Sequence, residues 1–426
     1  MLAAGQILPL TIEKPAAGGR MIARVDGQVV LVSGTIPGEQ VTARVERVGR
    51  GVAYAQVVTV ERPSDDRRVV DGDPLCGGCL YAHVAYARQL EIKALVIQDA
   101  FARIGHLALP APVVVSGSPE AGYRMRARLH VRDQQMGLFR EGTHEICDIR
   151  RTGQLREDTC DLLDRLGAGL RSLGMAGVRE VEVSENLDAS QRVVHLEHNT
   201  ALVPRALSGL GMSDGLTGLT VSSPAAGWPR VAVVTGDPHV VDVLTVGEVE
   251  IRLRRHVLSF FQGNRFLLPA LVSQVVSHVA DADRVIDLYA GTGLFAMAAA
   301  KARGARVIAV EGDRSGASDL AFNATSTEGH VTPLHQSVEE FVATPPLDRP
   351  SVLVVDPPRT GMSKDALRGA IALRASTMLY VSCDVATLAR DARHVVDAGY
   401  AIEGVEAFDL FPNTPHVESV ATFRAR

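Results

Sequence analysis

Residues 285–296 read Val-Ile-Asp-Leu-Tyr-Ala-Gly-Thr-Gly-Leu-Phe-Ala. An apolar run of strand character leads into a Gly-x-Gly turn and then into the start of a helical pattern. Glycines at such a turn let the backbone approach a ligand at the carboxyl edge of a sheet. Downstream, the same two kinds of element alternate. Arg306–Val310, Ser351–Val355 and Met378–Val381 are apolar strands, and Leu294–Ala302, Arg314–Asn323, Lys364–Leu373 and Val385–Ala398 are helical stretches between them. Ile402–Phe408 and His416–Phe423 close the chain as two strands joined by a proline-containing turn. This alternation predicts a parallel, doubly wound α/β sheet of Rossmann-like type.

Toward the N-terminus the pattern changes twice. Residues 1–62 carry short β-branched runs at Arg20–Arg24, Gln28–Ser33, Gln40–Val48 and Ala53–Val60, punctuated by glycine and proline, which predicts a small β-barrel. Residues 63–250 read as a central, mixed β-rich domain with a helix over Tyr86–Gly105 and strands at Val178–Val183, Arg192–His198, Arg230–Val234 and Glu248–Leu253. The α/β domain then occupies 251–426. Hydrophobic residues are 46% and charged residues 22% of the 426, which excludes wholesale disorder. No apolar run reaches the ~18 residues of a membrane span, and no basic segment precedes an apolar stretch at the N-terminus. A cytoplasmic, soluble monomer is expected.

The net charge of −5 gives the whole chain no electrostatic case for nucleic acid, so any such case must be local. One local case exists. From Tyr123 the chain alternates strictly, which places Arg124, Arg126, Arg128, His130 and Arg132 on one strand face and Met125, Ala127, Leu129 and Val131 on the other. Four arginines with no acid among them repel one another unless an anion is near. That face is expected to contact RNA phosphates, the alternative being a solvated face paired with acids on neighbouring strands.

The glycines Gly291 and Gly293 do not by themselves choose between NAD and S-adenosylmethionine. Asp287, just before the turn, would repel a pyrophosphate but could hold an ammonium, and Glu311 ends the next strand where a carboxylate can accept ribose hydroxyls. Asp356-Pro-Pro-Arg359 and Cys383 follow the next two strands, so both belong at the same edge, and Glu418 follows the last turn. A thiol, a carboxylate and a methyl donor suit one reaction. Carbon 5 of a uracil is a poor nucleophile until a thiolate adds to carbon 6, and a base must then remove the carbon 5 proton.

These residues resemble the RNA (uracil-5-)-methyltransferases that carry an N-terminal TRAM domain. The matching strings are Val41–Val48 after Pro37-Gly-Glu39, Cys76-Gly-Gly-Cys79, Phe260-Phe-Gln-Gly-Asn264, Asp287–Gly293, Asp356–Arg359, Val381-Ser-Cys383-Asp384 and Phe411-Pro-x-Thr-x-His-Val-Glu418. The resemblance implies a TRAM barrel, an RNA-facing central domain and a class I methyltransferase domain. It makes Cys383 the nucleophile and Glu418 the proton-abstracting base, and it places Gln262, Tyr289, Glu311 and Asp356 at the S-adenosylmethionine site, Asp356 instead or also at the uracil. Ribosomal RNA, 23S above all, is the favoured substrate by analogy, with tRNA as the alternative. A non-catalytic RNA-binding protein and an NAD-dependent oxidoreductase are the readings from other classes.

The chain departs from the family at several points. Relatives that hold an iron–sulfur cluster have cysteines where this chain has Val70 and Thr152, which leaves only Cys76 and Cys79 in register. Cys147 and Cys160 lie nearby but out of register, so the four are read as thiols and no metal is expected. Asp384 replaces a usual Asn, Leu294 an Asn that contacts cofactor in some members, and Gln336-Ser337 a usual Gly-Asp pair beside the adenine.

Overall fold

A computed structural model describes residues 2–70, 72–133, 135–175, 177–200, 207, 210, 215–224, 230–279, 284–345 and 348–426. Six strands, Ile7–Thr11, Lys14–Pro15, Met21–Val25, Gln28–Ser33, Gln40–Val48 and Val52–Arg62, form the N-terminal sheet. Alternate residues such as Leu8, Met21, Ala23, Val30, Val41, Val45 and Ala55 turn inward to one core. Four of these strands match the expected runs. Ile7–Thr11 carries Pro9, which demotes it in a sequence reading; it sits at the sheet edge, paired with Gln40–Val48 alone, where proline is tolerated.

The central sheet has seven strands in the order Ile146–Asp148, Gln135–Phe139, Arg126–Arg132, Val178–Glu185, Arg192–His198, Gly218–Ser223, Arg230–Gly236. The helix Glu157–Ser172 packs Leu162, Leu163, Leu166 and Leu170 against it. Gly167 and Gly169 interrupt that helix and weaken its pattern in the sequence.

The third sheet has the order Val331–His335, Arg306–Glu311, Arg284–Leu288, Val352–Val355, Thr377–Ser382, Glu418–Ala425, Tyr400–Phe408, Val114–Ser116. The first five strands are parallel, as expected for a doubly wound sheet, and Glu418–Ala425 is antiparallel to both its neighbours. Two elements numbered within 63–250 belong to this body. The strand Val114–Ser116 extends the sheet, and the helix Tyr86–Arg103 buries Ile97 and Phe101 in its core. The hairpin His239–Val246/Val249–His256 likewise buries Leu244, Ile251 and Leu253 with the parallel-sheet core. Composition marks loops; it does not show which sheet or core a segment packs with.

Among the described residues no helix is long and apolar enough to cross a membrane. Cys76 and Cys147 form a disulfide across 71 residues, contrary to the expectation that both are thiols, while Cys79 and Cys160 are free and buried. A Cβ on Gly78 would meet Leu138, Gln154 and Thr152 within 3.2 Å, so ordinary side chains fill the space around the Cys-x-x-Cys turn. These residues do not fit a four-cysteine iron–sulfur cluster.

A buried ion pair within the hairpin holds an arginine that also reaches the central sheet. Arg255 and Asp242 are both fully buried; Arg255 Nε donates to Asp242 Oδ2 at 2.6 Å, and its other nitrogens reach Ser184 Oγ and the Glu185 carbonyl. Arg255→Met alone leaves Asp242 buried without a cation and is expected to lower unfolding free energy by about 3–5 kcal/mol. Adding Asp242→Leu should restore most of that loss. Urea titrations of the two variants test this, and a single variant within about 0.5 kcal/mol of the parent would show the pair to be dispensable.

Candidate active site

The site is built where the parallel strands end. Strand Arg284–Leu288 begins with the exposed Arg284 and is otherwise apolar except for Asp287, whose side chain has no solvent exposure. Tyr289 follows with φ +61°, a left-handed conformation that strains a residue with a Cβ and holds the loop open. Gly291 (φ +56°) and Gly293 (φ +92°) complete the turn. A Cβ on Gly293 would lie 2.7 Å from Leu320, so that glycine serves close helix packing. On Gly291 the nearest atom would be the Phe260 carbonyl at 4.0 Å, which leaves open space over the loop. Glu311 ends the next strand, accepting the Gly291 amide at Oε2 (2.7 Å) and the Asp313 amide at Oε1 (2.6 Å).

Two further carboxylates join them. Asp356 accepts from Gln262 Nε2 at 3.3 Å, and burial together with the charge of Glu311 lifts its pKa to about 7, the Gln262 bond opposing. Asp287 is pushed well above the carboxylate range, first by burial and then by Asp356 and Glu311, with the Ala296 amide offsetting part. Neither Asp287 oxygen has a hydrogen-bond partner of ordinary geometry. Buried acids of this kind call for a cation.

Cys383 leaves strand Thr377–Ser382, and Glu418 enters the antiparallel strand beside it, with Ser382 opposite Ser419. The register therefore brings thiol and carboxyl to one edge. Burial, then the charge of Glu418, pushes the Cys383 thiol up to about 12, while Arg359 pulls the other way through charge and a hydrogen bond. Glu418 is itself raised well above the carboxylate range by burial and by Asp356, again opposed by Arg359. Arg359 was quoted in its motif but given no role by the sequence reading; it is the cation common to both groups. His416, also passed over, is lowered to about 4 by burial and by Arg359, so it is a neutral imidazole near pH 7.

The departures from family pattern have local roles. Asp384 caps the helix Val385–Asp397 by accepting the Thr387 amide at 2.8 Å, as Asn would. Ser337 caps Val338–Ala343 in a reciprocal arrangement with Glu340. Leu294 is buried in the core.

The arginine face is not the bare patch that the sequence reading supposed. Arg126 pairs with Glu182, Arg128 with Glu180 at 2.8 Å, and His130 with Glu180 at 3.2 Å. Arg124 donates to Gln154 Oε1 at 2.6 Å and to the Arg126 carbonyl at 2.8 Å. Arg132 is exposed, with its guanidinium on the Val131 carbonyl. The acids stand on the adjacent strand Val178–Glu185, so the self-repulsion argument for phosphate contact fails at Arg126 and Arg128.

Comparison with known proteins agrees with this architecture. The family profile of the TRAM domain matches residues 3–58, and that of tRNA (uracil-5-)-methyltransferase matches residues 347–425. The 23S rRNA (uracil(1939)-C(5))-methyltransferase RlmD of Halomonas elongata is 32% identical, with 96% of this chain and 88% of that protein aligned. RlmD of Pseudomonas fluorescens Pf-5 is 30% identical over 98% of this chain and 94% of its own. The crystal structure of Pyrococcus abyssi tRNA (uracil-54, C5)-methyltransferase in complex with S-adenosyl-L-homocysteine superposes with a TM-score of 0.75, covering 97% of this chain and 99% of that one at 22% identity.

The electrostatics of Cys383 can be measured directly. Alkylation of Cys383 by iodoacetamide, located by peptide mass spectrometry, should rise ~tenfold per pH unit from about pH 7 to about pH 10 without levelling off. A plateau at about pH 8–9, the ordinary thiol range, would mean that the thiol is not held up by burial and acid neighbours.

Proposed function

We infer the reaction from a chain that belongs to the TRAM-bearing RNA (uracil-5-)-methyltransferase family: it methylates carbon 5 of a uridine in RNA with S-adenosylmethionine as donor. The observation that carries the assignment of roles is the meeting of Cys383, Glu418 and the acid-lined glycine loop at one sheet edge. The residues fit a cationic donor. Asp287 has buried oxygens without partners, open space lies over Gly291, and Glu311 and Asp356 flank it, whereas a pyrophosphate would be repelled. Gln262, Asp287, Tyr289, Gly291, Gly293, Glu311 and Asp356 would hold the donor, which supplies an electrophilic methyl group when bound.

Cys383, in its thiolate form, bonds through Sγ to uracil carbon 6, and the electron pair released along the ring makes carbon 5 nucleophilic toward the methyl group that the donor would supply, leaving the donor's sulfur as a neutral thioether. Glu418 then accepts the carbon 5 proton, the carbon 6–sulfur bond breaks, and the thiolate is restored. Arg359, beside both groups, favours the anionic form of each. We assign 23S rRNA as the substrate because relatives aligned over nearly the whole chain carry that name. A cytoplasmic site of action and a monomeric state belong to the same proposal.

RNA containing 5-fluorouridine tests the mechanism, because fluorine cannot leave as a proton. Wild-type protein should form a covalent adduct with it, and Cys383→Ala should form none while retaining donor binding. Glu418→Gln on ordinary RNA should accumulate a methylated adduct with loss of turnover. Normal methylation by Cys383→Ala, or full-rate release by Glu418→Gln, would overturn the assignment. Methylation of tRNA but not 23S rRNA would move the substrate, and absence of any methyl transfer would favour a non-catalytic RNA-binding role.

A further inference from the structure

Glu418 is delivered by the return loop 409–417, which joins the strands Tyr400–Phe408 and Glu418–Ala425. That loop is gripped from several parts of the chain. Lys93, on the helix Tyr86–Arg103, donates to Asp409 Oδ1 at 2.5 Å, both side chains being buried. Asn264 Nδ2 donates to the Leu410 carbonyl at 3.1 Å and Tyr123 Oη to the Pro412 carbonyl at 3.2 Å. Asn413 gathers the most. Its Oδ1 accepts from Arg68 Nη2 (2.6 Å) and Gln89 Nε2 (2.9 Å), its amide donates to Gln89 Oε1 (2.9 Å), and its carbonyl accepts from the Tyr81 amide (2.8 Å). It does so at φ +65°, a left-handed conformation that Asn tolerates better than most residues. Position 413 is also the variable one in Phe-Pro-x-Thr, so the family pattern does not assign it.

From Asn413 the path to Glu418 is short and stiff. Thr414 Oγ1 donates to the Phe411 carbonyl at 2.7 Å and accepts the His416 amide at 3.3 Å, and Val417 is buried. A shift at Asn413 therefore passes into the first residue of the strand. We propose that Asn413 is a positioning residue for Glu418, setting the carboxyl for removal of the carbon 5 proton through its bonds to Arg68 and Gln89. This rests on the reading of Glu418 as the base. The Lys93–Asp409 pair anchors the same loop, but it is fully buried and its loss would endanger folding. Asn413 is partly exposed, and glycine keeps its backbone conformation while removing the side-chain acceptor.

The experiment compares wild type, Asn413→Gly and Asn413→Asp on one RNA substrate. The Asp variant keeps the acceptor for Arg68 and Gln89. Asn413→Gly is expected to lower kcat about tenfold or more, since small misplacement of a catalytic group is costly. Both KM values should stay within about twofold, and a methylated covalent complex should accumulate during turnover. Adduct formation with 5-fluorouridine RNA, which stalls before the step Glu418 performs, should run at the wild-type rate. Asn413→Asp should turn over like wild type. Unchanged kcat in Asn413→Gly, a loss confined to KM, equal slowing of the 5-fluorouridine adduct, or failure of Asn413→Asp to restore turnover would each overturn the proposal. If wild type itself forms no adduct, the functional reading falls and this inference with it; if wild type forms one and only the variant's behaviour departs, the inference alone falls.

Discussion

Ser382 lies opposite Ser419 where the antiparallel strand Glu418–Ala425 enters the sheet beside the parallel strands, and that register organises the edge of the candidate site. Parallel strands all end on one side of a sheet, so the glycine loop after Leu288, Glu311, Asp356 and Cys383 reach the same edge by topology alone. A residue that begins a strand there can come only from a strand running the other way. Glu418 is that residue. The cost is a return loop with no sheet partner of its own, and the ring of donors from Arg68, Tyr81, Gln89, Lys93, Tyr123 and Asn264 supplies what the sheet cannot. The segment between the barrel and the first helix, through Arg68 and Tyr81, thus helps to hold the last loop of the chain.

Much of this was readable locally. The strand–glycine–helix pattern and the runs after it gave the parallel sheet because each element is fixed by neighbouring residues, and the barrel strands were readable for the same reason. What sequence patterning missed depends on distant partners. The alternation from Arg124 to Arg132 was a correct strand signal, yet its acids come from Glu180 and Glu182, about fifty residues on, and no local rule pairs them. The Cys76–Cys147 disulfide joins residues 71 apart. Helix Tyr86–Arg103 was correctly expected as a helix, but its place against the parallel sheet was visible only in the packing.

The candidate site shows the same division. Cys383, Asp356, Glu311 and Glu418 were readable as candidates because they follow strands or motifs. Arg359 and His416 were not, although both stand in quoted strings, because their importance lies in what they face. The substituted positions read differently once placed. Asp384 and Ser337 each keep a helix cap that the usual residue would also make, so a change of letter left the local job intact.

The pKa directions show what the proposed chemistry must overcome. At this edge Asp287, Asp356 and Glu418 are all raised, mainly by burial and then by the charge of neighbouring carboxylates, and Cys383 is raised to about 12 by the same surroundings. Arg359 alone cannot reverse this. A cation placed among Asp287, Glu311 and Asp356 lowers the carboxylates' pKa values and cancels charge that opposes the thiolate. In the proposed mechanism a donor's positive charge held there would favour the Cys383 thiolate, and that support would be gone once the methyl group had moved. That loss would make the thiolate a poorer leaving group, so in this reading Arg359, which favours the thiolate, is the charge left to support its release.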